Sequence, residues 1–287
     1  MGTSTDMPAP NADFTGEACV ITGAASGMGR ALALELAASG AHLALCDIDL
    51  DGLESIAQEC RRRSPRVAAT IVDVSDPDAM LQYADDTVAV FGTPLAVFNN
   101  AGQTAVIDVL SEPHENGKRV FDVNFGGVLN GTKVFLPHLL EANRGHMVNT
   151  SSAFGLVAAP TQSSYTASKF AVRGFTEALQ HELRISRSGV RAHLVYPGAV
   201  HTAIARDAAY VDSDARRLVP EIFDRLLPAS SPAGAAHTIL SGVAGDRSRI
   251  VIGIDGRLID LTWRITGSTY QRLTGLLLRP LLGRIIR

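Results

Sequence analysis

Cysteine is scarce in this sequence: 287 residues hold only Cys19, Cys46 and Cys60. So few exclude a disulfide-built scaffold and fit the free, buried thiols of a cytoplasmic protein. Excess charge of one sign is also missing. Lys and Arg total 26 against 29 Asp and Glu, a formal net charge of −3. The whole chain is therefore not a basic nucleic-acid binder. Arg61, Arg62 and Arg63 form a short charge run at a helix end, where they complement the helix dipole. Charged residues make up 19%, against about 25% in an average domain. No apolar run reaches roughly 18 residues, so no spanning helix is expected. Residues 1–14 carry Ser4, Thr5, Pro8 and Pro10 but no apolar run. They read as a disordered tail and not as a secretory signal. Without such a signal, the Asn-x-Ser/Thr matches at Asn130 and Asn149 carry no weight. What is plentiful is apolar surface, 46% of residues, which excludes a disordered chain.

Short apolar runs alternate with helical patterns. Runs at 18–22, 41–46, 66–72, 95–98, 145–150, 190–196 and 249–252 read as strands. Helical spacing spans 28–39, 50–62 and 77–91, then a long stretch to about Leu140, and a pattern from Tyr165 to about Arg187. This alternation implies right-handed crossovers and a parallel sheet covered on both faces. The length is nearly twice that of a typical domain of about 150 residues. However, no internal repeat occurs and no linker precedes about Gly253. One α/β domain over 15–255 is expected, a Rossmann-like doubly wound sheet of about seven strands with helices on both faces. A helical extension over 256–287 follows it.

A glycine cluster, Thr22-Gly23-Ala24-Ala25-Ser26-Gly27-Met28-Gly29, lies between the first strand and the first helix. Glycines there permit a tight turn and let backbone approach a pyrophosphate, which the helix N-terminus then attracts. Asp47 ends the second strand, eighteen residues beyond Gly29. At that distance a carboxylate accepts hydrogen bonds from the adenosine ribose and repels a 2′-phosphate. Ile48 follows it, and no Lys or Arg stands in the loop before Gly29. NAD is therefore favoured over NADP. The other reading of Asp47 is a cap on the next helix.

Tyr165 and Lys169 are four residues apart, on one helix face. A nearby ammonium favours tyrosinate, and a tyrosine so tuned exchanges a proton with an alcohol or carbonyl oxygen. Ser151 and Ser152 end a strand just upstream, and Ser152 lies thirteen residues before Tyr165. The Ser152 hydroxyl suits the same substrate oxygen, although serines there also serve as caps or turn formers.

Together these residues resemble the short-chain dehydrogenase/reductase family, in its compact, non-extended type. The matching motifs are Thr22-Gly23-x-x-x-Gly27-x-Gly29, Asp73-Val74, Asn99-Asn100-Ala101-Gly102, Asn124, Ser152, Tyr165-x-x-x-Lys169 and Pro197-Gly198-x-x-x-Thr202. They stand in family order and spacing over about residues 15–255. The resemblance implies an NAD-dependent oxidoreductase that interconverts a secondary alcohol and a ketone; the alternatives are an NAD-binding scaffold, disfavoured because Asn124, Ser152, Tyr165 and Lys169 are all present, and a peripheral membrane-associated dehydrogenase acting on lipid or sterol substrates. It implies Tyr165 as general acid/base and Lys169 as the group that lowers its pKa and bonds the nicotinamide ribose. Ser152 would stabilise the substrate oxygen, and Asn124 would hold a water linking Lys169 to solvent. Gly23, Ser26, Gly27, Met28 and Gly29 would cradle the cofactor, with Asp47 and Ile48 at its adenosine ribose. Asp73 and Val74 would flank the adenine, and Asn100, Ala101 and Gly102 would lie nearby. Pro197, Gly198, Val200 and Thr202 would lie at the nicotinamide carboxamide. Asn99 has a structural reading, bracing neighbouring strands. No metal is implied, and a dimer or tetramer is the family habit.

The family builds its substrate lid over 201–228. Here that segment is largely apolar with interleaved charges, and Phe154, Leu156, Val157 and Ala158 follow Ser152. A small lipophilic alcohol or ketone is expected, and His201 reads as a solvated loop residue. The final segment departs from the family pattern. From Leu258 onward there is one acid, Asp260, against Arg264, Arg272, Arg279, Arg284 and Arg287, a net +4 that leaves −7 on the rest. A basic amphipathic helix pair broken at Pro280 is expected there. It covers the pocket or packs on a partner subunit, the favoured reading, or lies on an anionic membrane.

Overall fold

The computed structural model describes residues 13–201, 208–210 and 229–282. Its strands, in chain order, are β1 (Ala18–Thr22), β2 (His42–Asp47), β3 (Val67–Ile71), β4 (Ala96–Asn99) and β5 (Ala105–Val106), then β6 (Gly145–Thr150), β7 (Val190–Pro197), β8 (Ala209–Tyr210) and β9 (Arg249–Ile252). Seven form one sheet in the order β3-β2-β1-β4-β6-β7-β9, and every pairing in it is parallel. The near-continuous apolar strands belong there because helices bury both faces.

The helices are α1 (Gly27–Ala38), α2 (Leu50–Arg61), α3 (Pro77–Phe91), α4 (His114–Phe121), α5 (Gly127–Glu141), α6 (Ser163–Ile185), α7 (Pro232–Ala244), α8 (Ile254–Thr266) and α9 (Tyr270–Leu282). Leu32, Leu36, Ile56 and Ile239 from α1, α2 and α7 bury Cys19, Ile21 and Phe98 on one face of the sheet. Met80, Phe135, Leu139 and Leu179 from α3, α5 and α6 bury Val20 and Val97 on the other. Start signals sit where the helices begin. Asp49 caps α2 through Gly52 N, Asp76 caps α3 ahead of Pro77, and Ser231 caps α7 ahead of Pro232. The three thiols are free and buried. Burial pushes Cys46 to about 12 and Cys60 to about 11.

Two expectations fail locally. The helix expected soon after Asn100 begins only at His114, because β5 intervenes to pair in parallel with β8. A π-helical turn at Asp122–Gly126 then separates α4 from α5. In the extension, the helix pair breaks at Gly267, not at Pro280. Gly267 takes φ +52°, which favours glycine, while Pro280 lies inside α9. Thr202 and most of the expected lid, 202–207 and 211–228, lie outside the described residues, as do residues 1–12 of the expected tail.

One buried pair makes stability pH-dependent. His146 of β6 and His193 of β7 share a 2.9 Å Nδ1–Nε2 contact, and His193 Nδ1 lies 2.9 Å from the Arg247 carbonyl. Burial, with His193 and Arg191 adding to it, holds His146 down at about 3. Burial also lowers His193, against the Arg247 carbonyl and Asp246. The unfolded chain therefore takes up these protons near pH 6.5 while the folded protein does not. Their contribution is intact above that pH and is lost as the pH falls toward about 3. The His146→Gln variant should lose stability less steeply over this window, by up to about 1.4 kcal/mol per pH unit, with a correspondingly flatter Tm–pH curve. Parallel Tm–pH curves for variant and wild type would remove His146 from the account.

Candidate active site

In a doubly wound sheet, the crevice opens where strand order reverses, here between β1 and β4. Three observations shape it. Gly23 has φ +66°, and a Cβ there would lie 2.7 Å from Ala101 Cα. At Gly29, a Cβ would collide with the Gly23 carbonyl oxygen. Thr22 Oγ1 accepts from Asn100 N and Ala101 N, each at 3.0 Å, and so locks the two loops together. No side chain caps α1 at Ser26, so no cap competes for its first-turn N–H groups, as an anion site requires.

The cleft measures about 220 Å³. It brings together Gly23, Ser26, Gly27, Met28, Asp47, Ile48, Asp73, Val74, Asn100, Ala101 and Gly102. The Asp47 carboxylate accepts from Ala25 N at 2.9 Å, Ile48 N at 2.7 Å and Asp49 N at 3.1 Å. It is not the cap of α2, which is Asp49. Asn100 Oδ1 and Thr104 Oγ1 are buried without a partner. Open polar atoms, apolar walls at Val72 and Val74, and a glycine cradle on a helix N-terminus fit a dinucleotide.

Several lining residues have no signal in the sequence. Arg119 comes from α4, and Gln103 and Thr104 follow the Asn-Asn-Ala-Gly turn. Arg119 pairs with Asp73 Oδ2 at 2.9 Å and donates to Ser75 Oγ at 2.9 Å. Burial disfavours the Asp73 anion, but two Ser75 hydrogen bonds and the Arg119 guanidinium outweigh it and hold the carboxyl below its ordinary range. Asp73 is therefore a braced group, not a bare strand end. Pro197, Gly198 and Val200 lie at the carboxyl end of β7, outside this cleft's lining. Asp255, at the start of α8, accepts from Ala199 N there, and a Cβ on Gly198 would strike its carboxylate. The chain spacing between Asp255 and that loop conceals the contact.

The expected catalytic residues do meet. Ser152 lies close enough to Tyr165 to pull its phenol pKa down, and Ser152 Oγ accepts from Phe154 N at 3.1 Å. Lys169 is 3% exposed. Its Nζ donates to the Thr150 carbonyl at 3.0 Å and sits 5.7 Å from the centre of the Tyr165 ring. Burial lowers Lys169 to about 8. It also raises the Tyr165 phenol, with Ser152 pulling the other way. The lowering expected from the neighbouring ammonium does not prevail over burial. Asn124, in the π-helical turn, is fully buried. It accepts from Gln103 N at 2.9 Å and donates to the Gln103 carbonyl and Ser168 Oγ, each at 2.9 Å. A Cβ on Gly102 would lie 3.0 Å from Asn124 Oδ1 and 3.5 Å from Lys169 Nζ, so both groups border that glycine. Asn99 braces strands as expected, donating to Asn149 Oδ1 at 2.8 Å.

Comparison with known proteins agrees with this geometry. The profile of the short chain dehydrogenase family matches residues 17–210. SadH of Mycobacterium tuberculosis (strain H37Rv), named an oxidoreductase, is 46% identical over 260 residues, which cover 91% of this chain and 94% of SadH. A short-chain dehydrogenase/reductase from Burkholderia phymatum, solved with NAD, superposes with a TM-score of 0.81 at 30% identity. It covers 91% of this chain and 96% of its own. A metagenomic short-chain oxidoreductase solved with NADP gives 0.69 at 25% identity, over 84% and 98%. The chain belongs to the short-chain dehydrogenase/reductase family and is an oxidoreductase enzyme.

Proposed function

We propose that this enzyme interconverts a lipophilic secondary alcohol and its ketone, with NAD as cofactor and Tyr165 as general acid/base. One observation carries the reading. Lys169 and Asn124 border Gly102, which lines the same cleft as Asp47, and Tyr165 and Ser152 gather beside Lys169. When bound, the nicotinamide cofactor supplies or accepts the hydride. The chain's own residues manage the oxygen and its proton. Ser152 Oγ holds the substrate oxygen, and Tyr165 Oη gives it a proton in reduction or takes one in oxidation. Lys169 bonds the nicotinamide ribose, and Asn124 holds the water that joins Lys169 to solvent. Gly23, Ser26, Gly27, Met28 and Gly29 cradle the pyrophosphate. Asn100, Ala101 and Gly102 complete the cofactor contacts in the cleft, and the family resemblance assigns Pro197, Gly198, Val200 and Thr202 to the nicotinamide end.

A lipophilic substrate is supported by the surroundings of the tyrosine. Its ring packs against Ala105, Ile107 and Val120, and Leu156 and Val157 beyond Ser152 are buried. His201 is exposed.

NAD follows from the charge at the ribose end. A 2′-phosphate there would meet the Asp47 carboxylate. Ile48, 63% exposed, offers it no counter-charge, and Arg119 is already held by Asp73. The double variant Asp47→Ala, Ile48→Arg should raise the NADP:NAD ratio of kcat/KM at least about tenfold, some 1.4 kcal/mol. The assay is NADH or NADPH absorbance with a panel of lipophilic alcohols. An unchanged ratio in a variant that still melts cooperatively would sink the ribose contact.

A further inference from the structure

Helix α8 (Ile254–Thr266) turns two unlike faces to its surroundings. On the inner face, Asp255 and Gly256 are buried, and Trp263 meets Tyr270 of α9 edge-on at 6.1 Å. Tyr270 is 5% exposed, and its hydroxyl accepts from Ala158 N at 2.7 Å. That bond fastens α9 to the segment that follows Ser152. The outer face carries Ile254, Leu258, Leu261 and Ile265, exposed between 53% and 74%. Spacings of four, three and four residues set them in one stripe along the helix. Leu276 and Leu277 of α9 are exposed as well.

Charge decides what meets this stripe. Arg257 on α8, and Arg272 and Arg279 on α9, have no acidic partner among the described residues. Asp260 is the only acid after Asp255, and it is taken up by Arg249 and Arg264, each at 3.0 Å. Two copies joined along the stripe would bring the Arg257 of each to the seam with no free acid on α8 to receive it, since Asp260 is already held and Asp255 is buried. A helix of 13 residues is also shorter than the three or four heptads that sustain a coiled coil. An anionic bilayer surface satisfies both features, because the aliphatic stripe enters the acyl boundary while the guanidinium groups meet phosphate headgroups. We propose that α8 and α9 form a docking surface for an anionic lipid membrane and lie along it. Among the described residues, no helix is long and apolar enough to cross a membrane, so the contact is peripheral. Through Tyr270, the surface is continuous with the segment beyond Ser152. The proposal rests on the extension and not on the reaction.

The test uses the full chain, sedimented with vesicles of phosphatidylcholine alone and of phosphatidylcholine mixed equally with phosphatidylglycerol. Co-sedimentation is expected with the mixed vesicles only. Binding should weaken at least about tenfold in Leu258→Gln/Leu261→Gln, and similarly in Arg257→Gln/Arg272→Gln/Arg279→Gln. Turnover of a water-soluble alcohol and the solution mass by light scattering should match wild type in both variants. Negligible sedimentation with either vesicle, or binding that neither variant weakens, overturns the proposal. A lower solution mass for Leu258→Gln/Leu261→Gln also overturns it, by assigning the stripe to a second copy.

Discussion

Tyr165→Phe should lose about a thousandfold in turnover, within the 10²–10⁴ range of positioned acid–base groups, while still binding NAD. The ring packs against Ala105, Ile107 and Val120, and phenylalanine preserves that packing. Only the hydroxyl is lost, so stability should change by no more than about 1 kcal/mol. An NAD-induced rise in Tm equal to that of wild type separates a missing proton donor from a damaged cleft. In the wild-type enzyme, burial raises the phenol against the opposing pull of Ser152. Alcohol oxidation, which needs the phenolate, should therefore climb with alkaline pH, and the variant should lose that limb. Wild-type turnover in the variant, on a confirmed substrate, would falsify the role of Tyr165.

Lys169→Met should make the protein more stable and nearly inactive. The wild-type ammonium is 3% exposed, and burial takes its pKa from 10.5 to about 8. A lysine depressed in the folded state costs nothing above pH 10.5. The cost grows as the pH falls toward 8 and is complete below it. The shift corresponds to about 3 kcal/mol. Methionine fills similar space without charge. It forfeits the bond to the Thr150 carbonyl, a loss of about 1–2 kcal/mol. A net gain of about 1–2 kcal/mol should appear at pH 7, roughly 3–6 °C in Tm for a domain of this size. The gain should shrink as the pH rises from 8 toward 10.5. Turnover should fall at least about a hundredfold. Activity that needs a strained group commonly opposes stability in this way. A variant less stable than wild type at pH 7 would show that the buried ammonium is not a burden.

Much of the site was legible because its parts are local. The glycine turn, the Asp47 strand end and the Tyr165–Lys169 pair each occupy a few consecutive residues whose backbone or helical geometry follows from spacing. Asn124 was legible only through family resemblance. Its π-helical turn, which aims the amide at Gln103 and Ser168, leaves no periodic trace. Arg119 reached the cleft unforeseen, because nothing on α4 marks which exposed cation will find Asp73 across the fold. The β5–β8 pairing joins residues over a hundred positions apart, where a two-residue run carries no alternation to read. Pro280 looked like the helix breaker by rule, but Gly267 turned the chain.

The sequence by itself determined the alternation of strands and helices, the glycine turn, the Tyr165–Lys169 pair on one helix face and the asymmetry between an acidic body and a basic tail. These depend on residue type and near-neighbour spacing, the scale on which backbone sterics and periodicity act. Tertiary structure alone decided which distant groups meet. It set Arg119 on Asp73, Asp255 under the Gly198 loop, the two histidines side by side and Tyr270 on Ala158. It also packed the Tyr165 phenol into surroundings whose burial raises its pKa. Desolvation depends on everything that surrounds a group, and a linear chain does not specify that before it folds.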